Sequence, residues 1–125
     1  MNDPRAAYVG QMVNTASPAR LLVLLYDRLL LDVRRAIEAQ SVADHNAAGQ
    51  HLIHAQEIVL ELNSSLRHDV WDGAHRLAAI YAWLHTELVR ANVQRSQTLT
   101  EGCLEVLEPL AEAWREAAAA AQVAS

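Results

Sequence analysis

An all-α fold, an antiparallel up-down four-helix bundle with an N-terminal arm, is what this sequence predicts, and three observations lead there. Apolar residues fill 52% of the 125 positions with only four Gly and three Pro, in a chain rich in Ala, Leu, Glu and Arg and poor in β-formers. Apolar residues recur at helical spacing over four separate stretches. Short polar or turn-forming clusters divide those stretches, so consecutive helices must lie side by side and run in opposite directions. A chain of this length is expected to make one domain with a core that needs no covalent staples, divided here into an arm (1–16) and the bundle (17–125).

The first helix opens at Ser17, whose hydroxyl suits an N-cap, takes Pro18 into its first turn, and runs to about Gln40. Ser41 with Asp44 three residues on resembles a capping box, with Asp in place of the usual Glu, and opens a second helix that reaches about Leu66. Arg67, His68, Asp69 and Asp72-Gly73 then interrupt the periodicity, and a third helix is expected from Val70 or Asp72 to Arg95. Thr98 with Glu101 reads as a second capping box, placing a fourth helix from there to about Ala121. Pro109 lies inside it, where proline removes a hydrogen bond and crowds the preceding turn. Since the stripe Val106, Leu110, Ala113, Trp114 and Ala117 continues past it, a kink is expected rather than a break.

Charge and length exclude several functions. The net charge is −5 and every basic residue is Arg or His, so no basic stripe is available to neutralise nucleic-acid phosphates or an anionic membrane surface. The longest apolar run, Leu21 to Tyr26, is far too short to span a bilayer, and the N-terminus lacks the features of a signal peptide. A cytoplasmic protein is therefore expected. The single cysteine, Cys103, falls on an apolar stripe and reads as a small buried hydrophobe.

Projected at about 100° per residue, each helix has one sufficient apolar stripe. The first contributes Leu22, Leu25, Tyr26, Leu29, Leu30, Val33, Ala36 and Ile37; the second Leu52, Ala55, Val59, Leu62 and Leu66. The third contributes Leu77, Ile80, Tyr81, Leu84, Leu88 and Ala91, and the fourth Leu99, Cys103, Val106, Leu107, Leu110 and Trp114. Large apolar residues are left over on the polar sides: Leu24 and Leu31, Ile53 and Leu60, Trp83, Val89 and Val93, and Leu104. Two readings are open, scattered surface residues or a patch that needs a partner. A bundle with an apolar outer groove suits an amphipathic helix that is unfolded on its own.

Particular residues then point to a family. Tyr8 and Val13, followed by Thr15-Ala16-Ser17-Pro18 and Leu25-Tyr26-Asp27, resemble the start of the FliS family of flagellin-specific export chaperones. Asn46, Ala55-Gln56, Ile58, Glu61-Leu62 and Ser65-Leu66 resemble its second helix. Leu77, Tyr81, Leu88 and Ala91-Asn92 resemble its third, and Val106, Leu110 and Trp114 its fourth. Arg28 in place of a usual Gly, the composition of Arg67 to Ala74, Pro109 and the absence of Lys depart from that pattern.

The resemblance implies a cytoplasmic chaperone that binds the disordered C-terminal segment of flagellin, blocks premature polymerisation and aids delivery to components of the flagellar secretion apparatus. It also implies that the arm packs on the client surface when flagellin is absent, with Tyr8 and Val13 as its anchors and Tyr26 near their seat. For Tyr8, simple tethering of the terminus is the other reading. The expected partner-binding set is Tyr8, Val13, Leu24, Tyr26, Leu31, Ile53, Leu60, Trp83 and Leu104.

Other classes fit less well. A di-iron bundle needs two Glu-x-x-His pairs and two further inward carboxylates, and only Asp72-x-x-His75 approaches that motif. His51 and His54, with Glu57 after them, have a spacing compatible with one metal but read as surface histidines of the second helix. No phosphate loop, activated nucleophile or core-facing carboxylate pair is visible, so neither catalysis nor a cofactor is expected. A helical adaptor for a different cytoplasmic partner would use the same surface.

Overall fold

The computed structural model describes residues 17–66 and 73–124, with side chains through Ala121. These residues form four helices: α1 (Pro18–Ser41), α2 (His45–Ser64), α3 (Gly73–Val93) and α4 (Gln97–Ala124). Each helix packs against its neighbours in sequence, α1 closes the ring against α4, and the diagonal pairs are held apart by the core. The result is the expected up-down bundle; the proposed arm, 1–16, lies outside the described residues.

The N-terminus of α1 forms as its sequence dictates. Ser17 has extended backbone angles and its Oγ accepts the Arg20 N–H at 3.1 Å, while Pro18 occupies the first turn. The α1–α2 and α3–α4 junctions differ from expectation in the same way. Ser41 does not cap α2 but ends α1, donating its hydroxyl to the Glu38 carbonyl at 2.6 Å, and Asp44 is the cap, accepting from Ala47 N–H at 3.1 Å. Likewise Ser96, rather than Thr98, caps α4 by accepting from Leu99 N–H at 3.2 Å, and Glu101 takes a bond from Gln97 instead.

Both displacements have one cause. The chain leaves α1 through a left-handed residue, Ala43 at φ 57°, with Asp44 N–H bonded to Ala39 O at 2.9 Å and Ala43 N–H to Gln40 O at 3.1 Å. It leaves α3 through Arg95 at φ 52°, with Ser96 N–H bonded to Ala91 O at 2.9 Å. These are Schellman closures, and each needs the residues around the reversal to stand outside any helix. The first polar residue after the reversal then becomes the next cap. No glycine marks either turn, which is why neither was legible from composition.

At Pro109 α4 continues without a break, and the proline ring lies on the exposed face. The core is built from the expected stripes with adjustments at their edges. Tyr26, Leu29, Leu30, Val33 and Ala36 of α1 meet Leu52, Ala55, Val59 and Leu62 of α2, Leu77, Tyr81, Leu84, Leu88 and Ala91 of α3, and Cys103 and Leu107 of α4. Val23, Ile58 and Ala111, outside the projected stripes, are also buried. Leu22, Leu25, Ile37, Leu66, Ile80, Leu99, Val106, Leu110 and Trp114 instead pack half-buried around the core. A projection fixes the centre of a stripe, but the positions of the two flanking helices decide which edge is covered.

Two buried polar contacts cross this core. The hydroxyls of Tyr26 and Tyr81 lie 2.5 Å apart, joining α1 to α3 across the bundle diagonal. Asp32, 0% exposed, is bonded by His54 Nδ1 of α2, with Arg28 Nε 3.3 Å from its other oxygen. Asp32, absent from the projected stripe of the first helix, is thus a buried carboxylate, and the expectation of a surface His54 is corrected by its half-buried place against it. On the α1 wheel Asp32 sits at the stripe's edge, and only the approach of α2 buries it. Burying a carboxylate is costly without compensation; His54 supplies a hydrogen bond to Oδ2, while Arg28 supplies only its charge, since Oδ1 makes no hydrogen bond.

Candidate partner-binding surface

The surplus apolar residues do not form one patch. Ile53 and Leu60 are 49% and 52% exposed on one flank of α2. Leu60 lines a groove of about 270 Å³ with Val59 and Asn63 of α2 and Tyr81, Ala82, His85 and Thr86 of α3. Trp83, 44% exposed, stands on the opposite flank of α3. With Ala79 and Ile80 of α3 and Val106 of α4 it lines a second groove of about 330 Å³. Helix α3 therefore runs as a ridge between a mixed groove, where Leu60 faces Asn63, His85 and Thr86, and an apolar one at Trp83.

The remaining expected residues lie elsewhere. Leu31 is exposed and Leu24 half-buried on the outer side of α1, and Leu104 is half-buried against the core. Tyr26 is 1% exposed, its ring centroid 6.4 Å from that of Trp114 and its hydroxyl engaged by Tyr81, so it supports the surface from beneath. Tyr8 and Val13 are outside the described residues. A third depression, between the start of α1 and the end of α4, contains Ser17, Arg20 and Val23 and is crossed by the Asp27–Arg115 ion pair at 2.6 Å. Ile80 and Val106 were read as core and escaped notice as surface; their place at a stripe's edge was the available signal.

The titratable groups near the core are poor candidates for chemistry. Burial raises the Cys103 thiol to about 12, with the Glu87 charge adding to the effect, so it stays protonated and a weak nucleophile. Burial likewise raises both tyrosines, and for Tyr81 the bond to Tyr26 adds to the rise. The bond from Arg115 to Asp27 raises that guanidinium further above the neutral range. Among the described residues no three His, Cys, Asp or Glu side chains gather as a metal site, and no helix is long and apolar enough to cross a membrane.

Residues 1–121 match the family model for flagellar protein FliS. The chain belongs to the FliS family. A flagellar secretion chaperone FliS from Bacillus subtilis (strain 168) is 30% identical to it over 117 residues, covering 94% of this chain and 87% of that protein. The fold agrees with a crystal structure of a flagellar chaperone from bacteria, at a TM-score of 0.74 and 21% identity over 92% of this chain and 97% of the other. The FliS match extends beyond the motif at Thr15 to Asp27 and takes in all four helices.

Proposed function

We propose that this FliS-family protein is a cytoplasmic flagellar secretion chaperone that holds the disordered C-terminal segment of flagellin before export. The observation that carries the reading is the exposed apolar surface beside α3, Trp83 in an apolar groove against α4, Leu60 in a mixed groove against α2 and Ile53 on the same flank of α2, on a bundle whose core is already closed. Surface of this kind is unfavourable in water and is recovered when an apolar segment covers it. A client unfolded on its own suits such shallow, separate seats, because it can lay successive anchors into each. Leu31, with Leu24 beside it, extends the track around α1, and Leu104 does so on α4. Tyr8 and Val13 of the N-terminal segment are proposed to compete for the same surface.

No catalytic step is part of this mechanism. Tyr26 and Tyr81 keep the ridge of α3 at a fixed distance from α1, and the fold supplies a rigid template on which the client gains helix. Titration with the C-terminal segment of flagellin from the same organism tests the reading. Binding should come with a negative heat-capacity change and a gain in helicity. Ile53→Asp should weaken binding with little change in melting temperature, since the side chain is already half in water. Absence of binding at micromolar concentrations would refute it.

A further inference from the structure

The end of the bundle that holds both left-handed reversals also contains a buried amide. Gln40, in the last turn of α1, is only 9% exposed, and neither Oε1 nor Nε2 of its side chain meets a hydrogen-bonding group among the described residues. Nδ1 of His45, the first residue of α2, is also shut from solvent, with no bond among the described residues. Both residues line a cavity of about 10 Å³, together with Ala48 and Leu52 of α2, Ala91 and Asn92 of α3, and Arg95 just beyond. Native interiors rarely leave such atoms unpaired, so three of them around one small cavity point to a ligand.

The main chain nearby is already engaged. The two reversals use the carbonyls at hand: Gln40 O takes Ala43 N–H at 3.1 Å, Asn92 O takes Arg95 N–H at 3.3 Å, and Ala91 O takes Ser96 N–H at 2.9 Å. Gly49 adds a second sign that the site is built. Glycine is unfavourable inside a helix, yet a Cβ at 49 would stand 3.3 Å from Asn92 Oδ1, so its absence leaves room for that polar side chain beside the cavity.

Size and chemistry then choose the ligand. A space of about 10 Å³ is at the lower limit for one water and leaves no room for a larger molecule. A small cation would be held by Oε1 but opposed by the amide N–H groups, and a small anion the reverse. Water gives two hydrogen bonds and takes two, so it serves either end of the Gln40 amide and either tautomer of His45. We infer that this cavity is a binding site for a single ordered water, which bridges the side chain of Gln40 to Nδ1 of His45. It fastens the end of α1 to the start of α2 beside the reversal that joins them, where no direct side-chain bond does so among the described residues.

Two measurements on the full chain test this. A high-resolution crystal structure should show one peak within about 2.7–3.2 Å of both a Gln40 side-chain atom and His45 Nδ1, with no anomalous signal there after soaking in rubidium chloride. An empty cavity, a Gln40 amide turned onto a protein group, or a rubidium signal would overturn the inference. In solution, oxygen-17 relaxation dispersion counts the waters held for longer than the protein takes to tumble. Globular proteins bury about one water per 27 residues, so other sites contribute and the readout is a difference. Gln40→Leu, which fills the cavity and removes both amide atoms, should lower the count by about one. Equal counts in wild type and variant would sink the proposal. Circular dichroism melting identifies a variant that fails to fold; Gln40→Met, unbranched and close to glutamine in length, then replaces it with the same expected loss.

Discussion

The hydroxyl contact between Tyr26 and Tyr81 gives the sharpest test of the core. Both side chains are essentially fully buried, the oxygens are 2.5 Å apart, and each is the other's partner. In Tyr81→Phe the Tyr26 hydroxyl stays in the core with only the Trp114 side chain as a partner, so the cost falls toward the low end of that of an unsatisfied buried polar group, about 1–3 kcal/mol. Tyr26→Phe leaves the converse orphan with a cost of similar size. The double replacement removes both polar groups and leaves two apolar rings of nearly the same shape, so it should cost under about 1 kcal/mol. The three values together predict a coupling of at least about 1 kcal/mol, and up to about 3 kcal/mol as found for residues in contact. Urea unfolding followed by far-ultraviolet circular dichroism measures all of them, provided the slope with denaturant is unchanged. A double mutant whose loss equals the sum of the two single losses would show that the hydroxyls act independently, and the argument from mutual satisfaction would be wrong.

Three other outcomes follow from the same kind of reasoning. His54→Ala should destabilise by about 2–3 kcal/mol by leaving the buried Asp32 carboxylate with Arg28 alone, and in Asp32→Asn the same histidine change should cost clearly less. Ala43→Gly and Arg95→Gly should each raise stability by up to about 1 kcal/mol, because both residues hold left-handed backbone that glycine adopts freely; a loss of stability in chemical denaturation would refute this. Cys103 has a folded-state pKa raised from 9.0 to about 12, so above pH 9 the unfolded chain releases a proton that the folded chain retains. Stability should therefore fall as pH rises through that window, by up to about 1.4 kcal/mol per pH unit from this group. Cys103→Ala should remove that share of the slope, while the raised tyrosines add their own loss above about pH 10.

Membership of the FliS family gives these tests a functional frame. The Tyr26–Tyr81 contact and the Asp32–His54 pair set the spacing of α1 against α3 and α2, and so determine the shape of the wall on which the client is proposed to lie. Losses there should reduce client binding only as far as they reduce the folded fraction. Losses at Ile53, Leu60 or Trp83 should do the reverse.

Sequence alone determined the four helices, their antiparallel order, the Ser17-Pro18 start of α1 and the centre of each apolar stripe, because these depend on spacing and on neighbours within a turn. It also determined the family, through residues at fixed offsets from that start. The tertiary structure decided what lay between helices. Ser41 and Thr98 lost their capping roles to Asp44 and Ser96 because reversals at Ala43 and Arg95 are set by how the next helix must return. Asp32 was buried and His54 enlisted by the approach of α2 to α1. Between the two open readings, scattered residues or one patch, the ridge of α3 decided, setting Leu60 and Trp83 in separate grooves on its two sides. A periodic pattern records which way a side chain points from its own axis, whereas burial and grooves depend on where the other axes lie.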